Sequence, residues 1–212
     1  VIVAILGVET GYGRNTGRYR AIDALTTLTL KYPSRADFFR RELTEFLLLA
    51  RELQRDPLDF KGSYAGAMGA PQFMPSSWRR YGVDYDSDRH RDLAANLDDA
   101  IGSIGNFLKS HGWTRDGALT APAKVDGTLY SWVENHEPRL NIHFLRRYGV
   151  MPEGEVREGD LATLIRLDGE SGPEFHLGYN NFYVITRYNR SKHYAMAVVE
   201  LSRELRRAYY GE

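Results

Sequence analysis

The residue best placed to do chemistry is Glu9, the first charged residue of the chain, which follows the apolar run Val1-Ile-Val-Ala-Ile-Leu-Gly-Val8. A carboxylate at the end of a buried helix costs several kcal/mol, in order of magnitude, if it is ionised and unpaired. Burial raises its pKa instead, and a carboxylic acid that keeps its proton near neutral pH can serve as a general acid. The alternative is a helix-end glutamate paired with Arg14, Arg18 or Arg20. Glu9-Thr-Gly-Tyr-Gly13 puts the carboxylate just before a glycine-opened wall, as a cleft requires. Farther on, Gly66-Ala-Met-Gly-Ala-Pro-Gln-Phe-Met-Pro-Ser-Ser77 combines small residues, which let a polymer approach the backbone, with a lone amide, Gln72. That amide can donate and accept hydrogen bonds to a sugar amide. The competing reading is a tight helix crossing lined with small residues.

A second constellation is acidic. Asp84-Tyr-Asp86-Ser-Asp88-Arg-His90 places carboxylates at positions 1, 3 and 5 of an EF-hand-like loop, with the His90 carbonyl at position 7. Arg89 departs from the pattern, because position 6 makes a sharp turn that favours glycine. No glutamate stands at position 12, so Asp98 or Asp99 must close the site. Two readings stay open: a structural calcium ion, or a solvated acidic turn that caps the next helix. The histidines form no metal-binding spacing. His111, His136, His143, His176 and His193 are expected to hydrogen-bond within the fold or to lie at the surface.

These groups must be positioned by a soluble, core-forming chain. The 212 residues are 42% hydrophobic, and 28 basic residues balance 28 acidic ones. Zero net charge gives no support to nucleic acid or an anionic membrane as a partner. The absence of cysteine excludes disulfides, thiolate metal sites and cysteine nucleophiles. Val1 to Leu6 is far shorter than the roughly 20 residues of a spanning helix and lacks the basic flank of a signal peptide. The chain starts inside an apolar run without Met, so a preceding segment carrying any anchor is expected. The 12% aromatic content is weighted to tyrosine, which suits both sugar stacking and core packing.

The pattern predicts a helix from Val1, stopped by Gly11 and Gly13, and a second with Leu43, Phe46, Leu47, Ala50 and Leu53 on one face, closed by Asp56-Pro57. A short helix is expected from Ser76 or Ser77 to Tyr81, and another along Ala100, Ile104 and Phe107. Beyond about Thr114, Leu161–Leu167 and Glu174–Leu177 read as a hairpin about a turn at Asp168–Pro173, and Asn180–Tyr188 as a strand or extended loop. Tyr194, Val198, Leu201 and Leu205 mark a final helix. The expected fold is α+β, predominantly helical, with a small β lobe inserted before the last helix.

Leu6–Gly13, Ser63–Gly69, Gln72–Ser77, Asp99–Ser103 and Asn181–Asn189, in this order, resemble the membrane-bound lytic transglycosylase B family. The resemblance implies a lysozyme-like catalytic core with the EF-hand-like loop over 1–113, a small α/β lobe over 114–180, and a cleft strand or loop with a returning helix over 181–212. It implies cleavage of the β-1,4 bond between N-acetylmuramic acid and N-acetylglucosamine in peptidoglycan, giving a 1,6-anhydromuramoyl end. Glu9 would act as acid and then as base, without a catalytic cofactor. Ser63 would hold its carboxylate and Gln72 the glycan, with Tyr188 and Asn189 on the cleft floor and Phe182 and Tyr183 nearby. Phe107 stands where relatives often carry tyrosine, so that substrate contact would lack its hydroxyl. Asp84, Asp86, Asp88, His90 and Asp99 would hold calcium. The implied enzyme is a monomer of the Gram-negative periplasm, anchored to the outer membrane, if at all, through the absent segment. A hydrolase resembling goose-type lysozyme, and an inactive glycan-binding scaffold, are the other readings.

Overall fold

The computed structural model describes residues 1–134 and 137–211, which fall into two compact units, 1–107 and 108–212. His136 lies outside the described residues. In the first unit, α1 (Ile2–Thr10) ends where Gly11 turns left-handed, at φ 57°, and the N–H groups of Gly11 and Tyr12 return to the carbonyls of Gly7 and Leu6. This is the glycine stop expected of the sequence. The strand β1 (Tyr19–Arg20) leads into α2 (Ala21–Lys31), a helix the sequence pattern had not revealed, and then α3 (Ala36–Glu52). The strand β2 (Lys61–Gly62) pairs antiparallel with β1, and α4 (Pro75–Tyr81) and α5 (Leu97–Ser110) follow.

The inner face of α3 overlaps the one the apolar spacing suggested, with Phe46 and Ala50 buried, but is turned from it at Leu47. Phe39, Glu42, Phe46, Leu49 and Ala50 are buried, whereas Leu47 is 47% exposed. Glu42 is tolerated inside because its two oxygens accept hydrogen bonds from Ser76 N (3.0 Å) and Ser76 Oγ (2.7 Å), at the first turn of α4. There the carboxylate satisfies donors that a helix start leaves unpaired. Trp78, Ala100, Ile104 and Phe107 complete the core of this unit.

The second unit is built on a five-stranded antiparallel sheet. Its strands are β3 (Thr120–Val125), β4 (Leu140–Asn141), β5 (Val150–Pro152), β6 (Leu161–Gly169) and β7 (Gly172–Gly178), in the order β4-β6-β7-β3-β5. The expected hairpin is β6–β7, closed at Gly169 and Gly172. The short helix α6 (Ile142–Arg147) adds Ile142 and Leu145 to Leu164, Leu177 and Val150 in the core.

Asn180–Tyr188 corrects the expected strand or loop: it is the helix α7, so two helices follow the sheet, the last being α8 (Lys192–Tyr210). Asn181 explains the local choice. Its side chain is buried at the start of α7, accepting from Thr114 N (2.9 Å) and donating to the carbonyls of Thr114 (2.7 Å) and Gly117 (3.0 Å). The unit boundary falls after Phe107, and residues 181–211 group with the sheet. His176, expected to be satisfied or at the surface, has a buried Nδ1 with no partner among the described residues, and burial lowers its pKa. No helix among the described residues is long and apolar enough to cross a membrane.

Candidate active site

Glu9 is half-buried at the last turn of α1 and opens onto a pocket of about 520 Å³. Ser63 and Gln72 line the same pocket, with Arg14, Arg18, Tyr19 and Tyr64 among the others. Three chain segments therefore meet there: the end of α1, the turn that follows it, and the glycine-rich loop after β2.

Backbone geometry brings them together. At Gly17, φ is 99°, and a Cβ would lie 2.1 Å from the backbone of Gly62, so only glycine lets the post-α1 turn touch β2. Thr10, 3% exposed, fastens the other side. Its hydroxyl donates to the Ala70 carbonyl at 3.0 Å and accepts from Gly13 N at 2.9 Å. Gln72 adopts φ 50°, and its Nε2 donates to the carbonyls of Thr16 and Gly69, both at 3.0 Å. Its amide nitrogen thus ties two walls of the pocket. Ser63 Oγ accepts from the N–H groups of Ala65 (3.3 Å) and Ala67 (3.1 Å), which leaves its own proton to donate.

The other expected substrate residues are placed within their own units. Phe107 is 6% exposed, packed against Phe73 and Tyr81 with centroids at 5.7 and 4.9 Å, so it is a core residue of the first unit and offers no surface for a sugar. Phe182, Tyr183 and Tyr188 are on α7 and Asn189 is its C-cap, all in the second unit. Phe182 is 2% exposed and likewise belongs to the core. The Tyr183 hydroxyl donates to Glu137 Oε1 at 3.0 Å, and this bond, ahead of the contact with Arg139, lowers the Glu137 pKa. Tyr188 stacks on Tyr194, with centroids 6.5 Å apart, and Asn189 Oδ1 accepts from Ser191 N.

In the acidic loop, carboxylate oxygens of Asp84, Asp86 and Asp99 all lie within 4.8 Å of one another. Two oxygens bound to one calcium at about 2.3–2.6 Å can be at most about 5 Å apart, so this triplet can share an ion. Asp99 is fully buried, and its oxygens accept from Tyr85 N (2.7 Å) and Asp92 N (2.8 Å). Asp86 accepts from Asn96 Nδ2, which holds its pKa below the ordinary value. Asp88, expected as a ligand, is not in the converging triplet; its Oδ1 accepts from His90 N at 2.7 Å. Arg89 takes the left-handed turn that glycine usually makes at this position, at φ 73°.

Sequence reasoning named Glu9, Ser63 and Gln72 but not the arginine- and tyrosine-bearing wall. The sequence offers Arg14 and Arg18 only as ion-pair partners for Glu9. The signal was their setting in Gly13-Arg-Asn-Thr-Gly-Arg18, a glycine-bounded turn beside the carboxylate.

A family described as a transglycosylase SLT domain matches residues 1–203. The chain belongs to that family. Among its relatives, membrane-bound lytic murein transglycosylase B of Escherichia coli is 45% identical over 201 residues, which make up 95% of this chain and 55% of that protein. The chain therefore spans about half the length of that relative. The soluble lytic transglycosylase SltB1 from Pseudomonas aeruginosa superposes with a TM-score of 0.91 at 50% identity, over 98% of this chain and 70% of that one. The E. coli lytic transglycosylase SLT35 in complex with calcium gives 0.88 at 44% identity, over 98% and 65%. SltB3 from P. aeruginosa in complex with NAG-anhNAM-pentapeptide gives 0.81 at 32% identity, over 93% and 53%. In family terms, the α+β architecture is that of lytic transglycosylases.

Proposed function

We propose that the chain cleaves the β-1,4 bond between N-acetylmuramic acid and N-acetylglucosamine in peptidoglycan, as a lytic transglycosylase. The observation that carries this reading is one half-buried carboxylate, Glu9, in an open pocket walled by Ser63 and Gln72. Family membership and the ligand named for SltB3 support it.

Protonated Glu9 gives its proton to the glycosidic oxygen as the bond to C1 breaks, and N-acetylglucosamine leaves as an alcohol. Ionised Glu9 then takes the proton of the muramic C6 hydroxyl as that oxygen bonds to C1, which closes the 1,6-anhydro ring and restores the acid. One carboxylate serves both halves, so the second carboxylate of ordinary glycosidases is not needed. The Ser63 proton steadies the ionised state of Glu9, and Gln72 Oε1 receives an N–H of the glycan. If water reached C1 in place of the C6 hydroxyl, the enzyme would be a hydrolase.

A calcium ion held by Asp84, Asp86 and Asp99 would be structural, pinning the loop before α5 by offsetting most of the charge of three carboxylates. The calcium complex of SLT35 supports this. The proposed setting is the Gram-negative periplasm, by kinship with the E. coli relative. Mass spectrometry of digested peptidoglycan tests the reaction: anhydro products are one water lighter than reducing-end products. Exclusively reducing muramic ends would replace the transglycosylase with a hydrolase.

A further inference from the structure

A second pocket, of about 490 Å³, lies on the first unit between the end of α3 and residues 89–92 and shares no residue with the Glu9 pocket. Its wall carries three guanidinium groups, Arg55, Arg89 and Arg91, beside the carboxylates of Glu52 and Asp92.

Those carboxylates are already engaged. Glu52 Oε1 accepts from Arg79 Nε (3.0 Å) and Nη2 (2.6 Å), a pairing that, ahead of Arg91, holds the Glu52 carboxyl below its ordinary range. Asp92 Oδ1 accepts from the N–H groups of Ala94 (2.8 Å) and Ala95 (3.1 Å). What is left for the pocket arginines is thin. Arg91 Nη2 stands 3.5 Å from Glu52 Oε2, and Arg55 Nη1 stands 3.7 Å from Asp92 Oδ2, both too long for strong hydrogen bonds. The Arg89 side chain is exposed, and its guanidinium has no carboxylate partner among the described residues.

Two buried donors sharpen the deficit. Arg91 Nε is buried without an acceptor among the described residues, and so is Trp78 Nε1. Both side chains pack on Gly82, where a Cβ would come within 3.0 Å of Trp78 Cδ1 and 3.1 Å of Arg91 Cδ. Buried N–H groups normally have partners, and of these two donors Arg91 Nε belongs to a residue of the pocket wall, so that arginine is not fully satisfied by the protein.

We propose that this pocket binds a ligand through an oxyanion, a carboxylate or a phosphate, held by Arg55, Arg89 and Arg91. The guanidinium fork matches either anion in a bidentate arrangement. The volume exceeds that of a bare ion, and Leu53 and Gln54 supply an apolar contact and an amide for the remainder of the ligand. The occupant is a small molecule or chain end that carries the anion.

The test is a titration of the ¹⁵N-labelled protein, following the Arg91 Nε–H resonance, with inorganic phosphate, N-acetyl-dialanine and the C-terminal amide of that dipeptide. Saturable shifts with phosphate identify a phosphate ligand, and shifts with the acid but not the amide identify a carboxylate. Arg89→Gln and Arg55→Gln, both at exposed positions, are each expected to weaken that binding about tenfold with the rest of the spectrum unchanged. Three results would overturn the proposal: no saturation by either anion, equal binding of the amide, or unaltered affinity in both variants.

Discussion

The Glu9 pocket and the acidic loop put the same functional group to opposite uses. Around Glu9 a single carboxylate shares its pocket with Arg14 and Arg18, inside a frame fixed by Thr10, Gly17 and Gln72. In the loop, three carboxylates crowd within 4.8 Å, and their nearest donors are backbone N–H groups and the Asn96 amide. A lone acid in a walled pocket can pass one proton back and forth. Several ionised acids in contact repel each other and favour a divalent cation. The number of carboxylates and the character of their neighbours, not the residue type, separate chemistry from structure here.

The contrast can be broken most forcefully at Glu9. Glu9→Gln keeps the shape but cannot protonate the leaving oxygen, so clearance of purified sacculi should fall about 10²–10⁴-fold. Unchanged clearance would remove Glu9 from the mechanism. For the loop, calcium at about 100 times its dissociation constant should stabilise the fold by about 2.7 kcal/mol, and Asp86→Asn should abolish that gain in thermal unfolding. A melting point indifferent to calcium would leave the triplet as a solvated turn. Thr10→Val tests the frame: it strands the Gly13 N–H and the Ala70 carbonyl and should cost about 1–3 kcal/mol in urea unfolding.

The smallest effect concerns Glu52, whose pKa is lowered chiefly by its hydrogen bond to Arg79. A carboxyl depressed in the folded state contributes stability above its unfolded pKa and loses it as pH falls through the folded value. The pair is solvent-accessible, so about 0.2–1 kcal/mol is at stake. Glu52→Gln should therefore narrow the gap between urea midpoints at pH 7 and pH 3.

How legible this was depended on whether the determinant was local. The α1 stop, the β6–β7 hairpin and the α5 face followed from glycines and apolar spacing within a few residues of one another. Asn180–Tyr188 misled because aromatic and β-branched residues favour strands, whereas the helix is nucleated by Asn181 bridging to residues more than sixty positions earlier. The α3 face was legible at Phe46 and Ala50 but not at Glu42, which is carried inward by Ser76. At the site, Glu9 announced itself by its apolar context. The pocket wall did not, because it exists only where Gly17 lies on Gly62.

The bond from Gln72 Nε2 to the Thr16 carbonyl spans 56 positions of chain. Closing so long a loop has an entropic cost that must be met before the contact returns anything. During synthesis, Glu9 leaves the ribosome before Gln72, and its pocket cannot assemble until Gln72 has also emerged. A nascent or truncated chain would carry the carboxylate without the enclosure that gives it a use.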